Sequence, residues 1–312
     1  MSVDVPHQGT IGPALAACRP HHHQRFHNVR GMSDSAFRAL YLTEQRKYCD
    51  ILLCAETNCP TPLDERSWGQ DWPRGRGSFT AWSSASPYAN CRGMAMFVSD
   101  SVDFKNPRVI VGRRPGYPDD PDVAPDPTGR IIAVHATVAG RTTNIIGFHA
   151  DNQNDPSRHI SADENQVRSL LRLKEVVASM PPADDTILLT DANHPANPTL
   201  DQWRADGPTR QPYPRGSLAM ATLTRDLGLS DAFRSLHPLS CEYTRTTFSS
   251  NTASGTRAAS TKNRLDYTYV SSHLLAGAAG ASVHKVLHVV PSSDQLSSLR
   301  TLQTSHQTTK RA

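Results

Sequence analysis

Four apolar runs, each only four to six residues long, constrain the fold of this 312-residue chain more than any other feature. They occupy residues 50–54 (DILLC), 93–98 (GMAMFV), 108–111 (RVIV) and 186–190 (TILLT). Runs this short suit buried strands, because a helix needs a longer segment to present an apolar stripe. Two more strands, 130–138 and 143–148, flank Ala139 and Gly140 and read as a hairpin. Residues 264–270 alternate as a strand does, which puts Asp266 on the face opposite Leu265 and Tyr267. Residues 283–290 and 296–302 read as the last strands.

Helical signals are fewer and well separated. Ser33 is placed to cap a helix running to about Lys47, with Phe37, Leu40 and Tyr41 on one face. Ser161 and Glu164 form a capping box for a second helix. Its expected stripe is Val167, Leu170, Leu171, the stem of Lys174 and Val177, and Pro181 and Pro182 stop it. Residues 218–227 make a third helix. Many strands with few, separated helices predict packed sheets with helices outside. The 23 prolines point to long loops, among them the proline- and aspartate-rich stretch 114–129. Residues 249–262 are polar and read as an exposed loop. Residues 1–23 have no periodicity and are expected to be a poorly ordered tail.

The formal net charge of +4 permits a polyanionic partner without demanding one. For Arg30, Arg74, Arg76, Arg113 and Arg114, solvated surface charge is the favoured reading. The six cysteines lack paired C-x-x-C spacing, which argues against a zinc site or disulfide framework and for reduced thiols. There is no 18-residue apolar stretch and no apolar leader, so no membrane association is expected, and the protein reads as intracellular, nuclear or cytoplasmic.

Acidic groups recur where apolar strands end: Glu56 after the first run, Asp191 after the fourth, and Asp294 after residues 283–290, with Asp266 inside its own strand. Strand ends open onto loops, where sites are built. Carboxylates converging there repel one another and call for a cation, and hard oxygen donors suit magnesium or manganese.

Six segments in order carry a family resemblance: 28–32 (NVRGM), 50–57 (DILLCAET), 92–97 (RGMAMF), 190–193 (TDAN), 264–267 (RLDY) and 293–296 (SDQL). The set resembles the metal-dependent endonuclease/exonuclease/phosphatase (DNase I-like) superfamily. Residues 229–238 (LSDAFRSLHP), with Tyr243 and Thr244, look like its AP-endonuclease-type branch found in retrotransposon endonucleases. The match covers residues 24–303, leaving 304–312 as a tail. It implies a four-layer α/β/β/α sandwich, two packed mixed β-sheets flanked by helices, with the site at one end.

The resemblance also implies roles. Glu56 binds Mg2+ (or Mn2+), helped by Asn28 and Asp294. Asp191 is the general base on the attacking water, and Asn193 donates to the phosphoryl oxygen. Asp266 orients the family's terminal histidine. Asn152 lines the site, and Arg264 contacts a phosphate backbone. The implied activity is a DNA endonuclease, with nucleic acid as partner and no obligate protein partner.

Three positions depart from the pattern. Gln295 stands where the family has histidine; it can hydrogen-bond but carries no charge. Losing such a group costs about 10²–10⁴-fold in rate, or roughly 3–5 kcal/mol. His149 stands where related enzymes often have tyrosine. Residues 21–28 (HHHQRFHN) are poorly apolar for the first strand. Two alternatives follow: an inactive relic of a retrotransposon endonuclease that keeps the fold and weak nucleic-acid binding, and a phosphatase acting on a small phosphoester.

Overall fold

The computed structural model describes residues 24–29, 31–59, 67–68, 71–72, 79–83, 93–113, 123–124, 126, 128–151, 159–207, 215–248 and 259–277. Asn152, Asp294, Gln295, Arg30, Arg74, Arg76, Arg114, both terminal tails and the strands expected at 283–290 and 296–302 lie outside the described residues.

Two sheets form the body. The first holds β1 (Gln24–Asn28), β2 (Ile51–Ala55), β4 (Met94–Val98) and β3 (Phe79–Ser83), in that order. The second runs β10 (Leu229–Asp231), β13 (Asp266–Ser271), β8 (Asp185–Asp191), β7 (Arg141–His149), β6 (Ile131–Val138) and β5 (Phe104–Val111). Both are mixed: β1 pairs parallel with β2 and β7 with β8, while the other pairings are antiparallel. A small third sheet joins β11 (Arg245–Phe248), β12 (Ala259–Asn263) and β9 (Gln202–Arg204).

The period-2 geometry of a strand divides each sequence between two interiors. From β2, Ile51, Leu53 and Ala55 enter the core between the sheets, together with Phe26, Met94, Met96, Val98, Ile145, Ile187, Leu189 and Val270. Leu52 and Cys54 point the other way, into a second core with Leu42, Trp72, Trp82 and Phe97. On the far side, Ile146, Phe148, Leu188, Tyr267 and Tyr269 meet the helix residues Leu170, Leu173, Val176, Met220 and Leu223. Three cores between four layers make an α/β/β/α sandwich. The central strands read as unbroken apolar runs because both their faces are buried. At Gly147 the first sheet packs close: a Cβ there would stand 2.5 Å from Leu53 Cδ2 of β2, and 2.7 Å from Ile132 Cγ2 of the neighbouring β6.

The helices depart from the expected faces. Helix α1 (Ser35–Gln45) is capped by Asp34, which accepts from Phe37 N at 2.8 Å, and not by Ser33. It buries Arg38 and Leu42 and leaves Leu40 exposed. The polar Arg38 is inward because its guanidinium donates to Met32 O and Asp71 and lies over Trp68. Helix α2 (Ala162–Ser179) starts at the expected Ser161 cap, but buries Gln166, Leu170, Leu173 and Val176. Leu171, expected in the stripe, is 57% exposed. Gln166 displaces the stripe because its amide donates to Ala192 O beside Asp191. Three further α-helices are the short α3 (Pro198–Asp201), α4 (Arg215–Asp226) and α5 (Ala232–Leu236), and a 3-10 helix follows β13 at Ser272–Gly277. The segment 249–262 is not all loop: its end is the strand β12.

Candidate active site

The site grows out of the inner faces of the two sheets at the end of the sandwich. His149 ends β7, Asp191 ends β8 and Asp266 begins β13. Cross-strand register places His149 opposite Asp191 and Asp191 opposite Asp266. Directly opposed residues share a face of a sheet, so the three form one row. Alternation from the core residues Ile145, Leu189 and Val270 turns that row toward the first sheet. There, Asn28 follows Phe26 along the inner face of β1.

Glu56 reaches the same place by a different device. Leu52 and Cys54 face outward, and simple alternation would send Glu56 after them. Its backbone instead adopts φ 54°, in the left-handed region. Gly31 N donates to Glu56 O at 2.7 Å and Thr57 N to Gly93 O at 3.1 Å, which hold this turn. The carboxylate thereby comes within 3.5 Å of His149 Nε2. A left-handed conformation costs a non-glycine residue roughly 1–2 kcal/mol, and such strain collects at sites.

Asp191 is the hub. Asn28 Nδ2 donates to its Oδ2 at 3.2 Å, Asn193 N donates to its Oδ1 at 2.9 Å, and His149 Nε2 is 3.9 Å from Oδ2. Asn193, also left-handed at φ 54°, donates from Nδ2 to Ala150 O at 2.7 Å. Burial pushes the Asp191 carboxyl up to about 6, reinforced by the charge of Glu56 and opposed by the Asn28 and Asn193 hydrogen bonds and by Arg245. Asp266 is pushed up too, by burial and then by the charge of Asp191, against a bond to Thr244 and the charge of Arg245. Burial and the neighbouring Arg130 hold the His149 imidazole down, to about 3, so the ring is neutral.

The structure thus brings together Asn28, Glu56, His149, Asp191, Asn193 and Asp266. The poorly apolar first strand does not displace Asn28: β1 needs only Phe26 for the inner core, and its backbone pairs with β2 along its whole length. Arg264 has a different place from the one expected. Its side chain is 1% exposed and bonds Asp201 and Asp231, with Tyr267 stacked on it. A guanidinium so enclosed ties β13 to α3 and α5 and has no face to offer a phosphate backbone.

Three further residues bear on the site. Arg245 acts electrostatically on both Asp191 and Asp266. Arg130 touches His149, and Asp126 builds the turn that leads into Arg130. Asp126 accepts from Thr128 N, Arg130 N and Ile131 N. The one sequence signal for Arg130 is a charged residue opening an otherwise apolar strand. Arg245 sits in a polar stretch with no such signal.

No family model matches the chain, and no curated protein does. Solved structures do resemble it. AP endonuclease LMAP from Leishmania major superposes with TM-score 0.56 at 17% identity, over 82% of this chain and 80% of that one. An AP endonuclease from Archaeoglobus fulgidus gives TM-score 0.52 at 16% identity, over 82% and 89%. The 3′ phosphatase NExo from Neisseria, bound to product DNA hairpin, gives 0.54 at 19%, over 82% and 89%. The chain shares the DNase I-like fold of these enzymes.

Proposed function

We propose that this chain is a metal-dependent phosphodiesterase, a DNA endonuclease that hydrolyses the phosphate backbone. The observation that carries the reading is the contact of Asn28 with Asp191 across the two sheets, with the His149 ring facing both that carboxylate and Glu56. The solved structures of like fold are AP endonucleases and a phosphatase holding a DNA product, which supports a nucleic-acid phosphoester as substrate.

The donors fit a hard divalent ion. Glu56 offers a carboxylate and Asn28 an amide oxygen, which suits magnesium or manganese, ions that keep several waters and take one or two protein carboxylates. Asp294 would join them. Asp266 Oδ1 is buried and has no hydrogen-bond partner among the described residues, so a further polar group of the site belongs against it. When bound, the ion would neutralise charge on the phosphoryl and leaving oxygens.

The chain's own residues do the rest. Asp191, raised to about 6, accepts the proton of the attacking water at neutral pH, since a base works best with a pKa near the working pH. The Asn28 and Asn193 bonds fix which carboxylate lone pairs remain for that water. Asn193, oriented by the Nδ2 bond to Ala150 O, donates the other Nδ2 hydrogen to the phosphoryl oxygen as charge builds there. His149 faces the same space from β7. Asp266 would hold a polar partner in the place of the family's histidine.

Supercoiled plasmid with magnesium tests the reading. The expected result is nicking by the purified protein that is lost with EDTA and lost in Asp191→Ala. Equal nicking by wild type and Asp191→Ala, or none by either, overturns it.

A further inference from the structure

We infer that Arg130 is a positioning residue that fixes His149 as the tautomer with its proton on Nε2, so that the ring acts in the site as a hydrogen-bond donor.

The geometry leaves His149 little choice. Arg130 Nη1 lies 3.2 Å from His149 Nδ1. A guanidinium has only donors, so Nδ1 must accept. A neutral imidazole that accepts at one nitrogen carries its proton on the other. Nε2 is the nitrogen that faces the site, 3.5 Å from Glu56 Oε1 and 3.9 Å from Asp191 Oδ2. Both are acceptors, so the protonated Nε2 is matched to its surroundings and a bare Nε2 would face two oxygens with no proton between. The ring therefore serves neither as a metal ligand nor as a proton acceptor through Nε2; it donates to an oxygen placed between the carboxylates and β7.

The guanidinium is itself held rigidly. Arg130 is 3% exposed and its Nη2 meets Asp151 Oδ1 at 3.2 Å. Its Nη1 also lies 3.4 Å from Ala150 O, the carbonyl that accepts Asn193 Nδ2. At the backbone, Arg130 O accepts from His149 N at 2.9 Å, and Arg130 N donates to the buried Asp126. One arginine thus sets the His149 ring and shares a carbonyl with Asn193, two side chains that flank the same phosphoryl position. The effect on rate rests on the phosphodiesterase reading given above; the state of the ring does not.

Protein labelled with ¹⁵N-histidine, in EDTA and without substrate, tests this by the two-bond ¹H–¹⁵N pattern of the imidazoles, with His149→Gln identifying the ring. The expected wild-type pattern is a single Nε2–H tautomer. An Nδ1–H or an averaged pattern overturns the inference with no Arg130 variant needed. Arg130→Met should average the two tautomers and Arg130→Lys, which keeps a donor, should restore the wild-type pattern; an unchanged ring in Arg130→Met also overturns it. In plasmid nicking, Arg130→Met should lower kcat by about 10–100-fold, the usual cost of losing such a supporting bond, while KM moves far less. A wild type that shows the Nε2–H ring but does not nick would sink the proposed activity and leave the assignment of Arg130 standing.

Discussion

Asp191 and Asp266 stand directly opposite each other on adjacent antiparallel strands, two carboxylates side by side on the inner face of the second sheet. Such a pair costs stability wherever both are ionised, through burial and through mutual repulsion. The sign is explicit. The Asp191 carboxyl is about 6 when folded against an ordinary 3.8. The folded state binds the proton more tightly, so the cost is fully present above about 6 and fades as pH falls through that window toward 3.8.

Replacing Asp191 by asparagine removes this charge. At neutral pH, Asp191→Asn should raise the free energy of unfolding by about 1–3 kcal/mol while abolishing nicking. Urea unfolding at about pH 7.5 and about pH 4 checks it, with the gain vanishing at the lower pH. A variant that is less stable than wild type at both would contradict the origin assigned to the Asp191 shift.

How much of this was legible in the sequence follows from what each residue needs. Strand positions such as Ile51–Ala55 and Thr186–Thr190 announce themselves, because two-sided burial demands an unbroken apolar run. The acids at their ends stand out for the same reason, by contrast with the run. The helix faces were misread where a polar side chain found an internal partner: Gln166 with Ala192 O, and Arg38 with Asp71. Hydrophobic periodicity cannot register such a pairing, since it depends on groups brought together only by the fold. Arg264 was misplaced likewise: its partners Asp201 and Asp231 lie 63 and 33 residues away in the chain. Arg130 went unnoticed because its meaning comes from the His149 ring across β6 and β7.

Glu56 yields a prediction that separates strain from chemistry. Its left-handed backbone is cheap only for glycine. Glu56→Gly should therefore be more stable than Glu56→Ala by about 1 kcal/mol, although both lose the carboxylate and both should lose nicking. Chemical denaturation of the two variants side by side is the measurement. Equal stability would mean that the turn at Glu56 is not left-handed.

Arg264 makes the opposite kind of case, a buried charge whose partners depend on it. Asp201 is fully buried and accepts from both Arg264 and Arg234. Arg264→Met leaves Asp201 with one cation and Asp231 with none of its Arg264 bonds. The expected loss is about 3–5 kcal/mol, typical of breaking a buried pair from one side. Nicking per folded molecule should fall little, because Arg264 does not reach the substrate face. A variant of wild-type stability whose DNA affinity is lost would restore the substrate-contact role.

His194 gives the last prediction, a stability change with acid. The side chain is 3% exposed, directly after Asn193. Burial holds it down to about 4 from an ordinary 6.5, against the opposing pull of the Ala192 backbone and the charge of Asp163. The folded pKa is below the unfolded one, so the unfolded chain binds the proton first as pH falls. Stability linked to His194 is therefore complete above 6.5 and is lost progressively down to about 4. At about pH 5 the loss amounts to roughly 2 kcal/mol. His149 adds a loss of the same sign, while Asp191 and Asp266 act oppositely, so the wild-type curve alone does not isolate it. His194→Asn does. Its stability relative to wild type should improve by about 2 kcal/mol between pH 7 and pH 5, whatever the cost of the smaller side chain at pH 7. A pH-independent difference between the two proteins would show that His194 is not held neutral by burial.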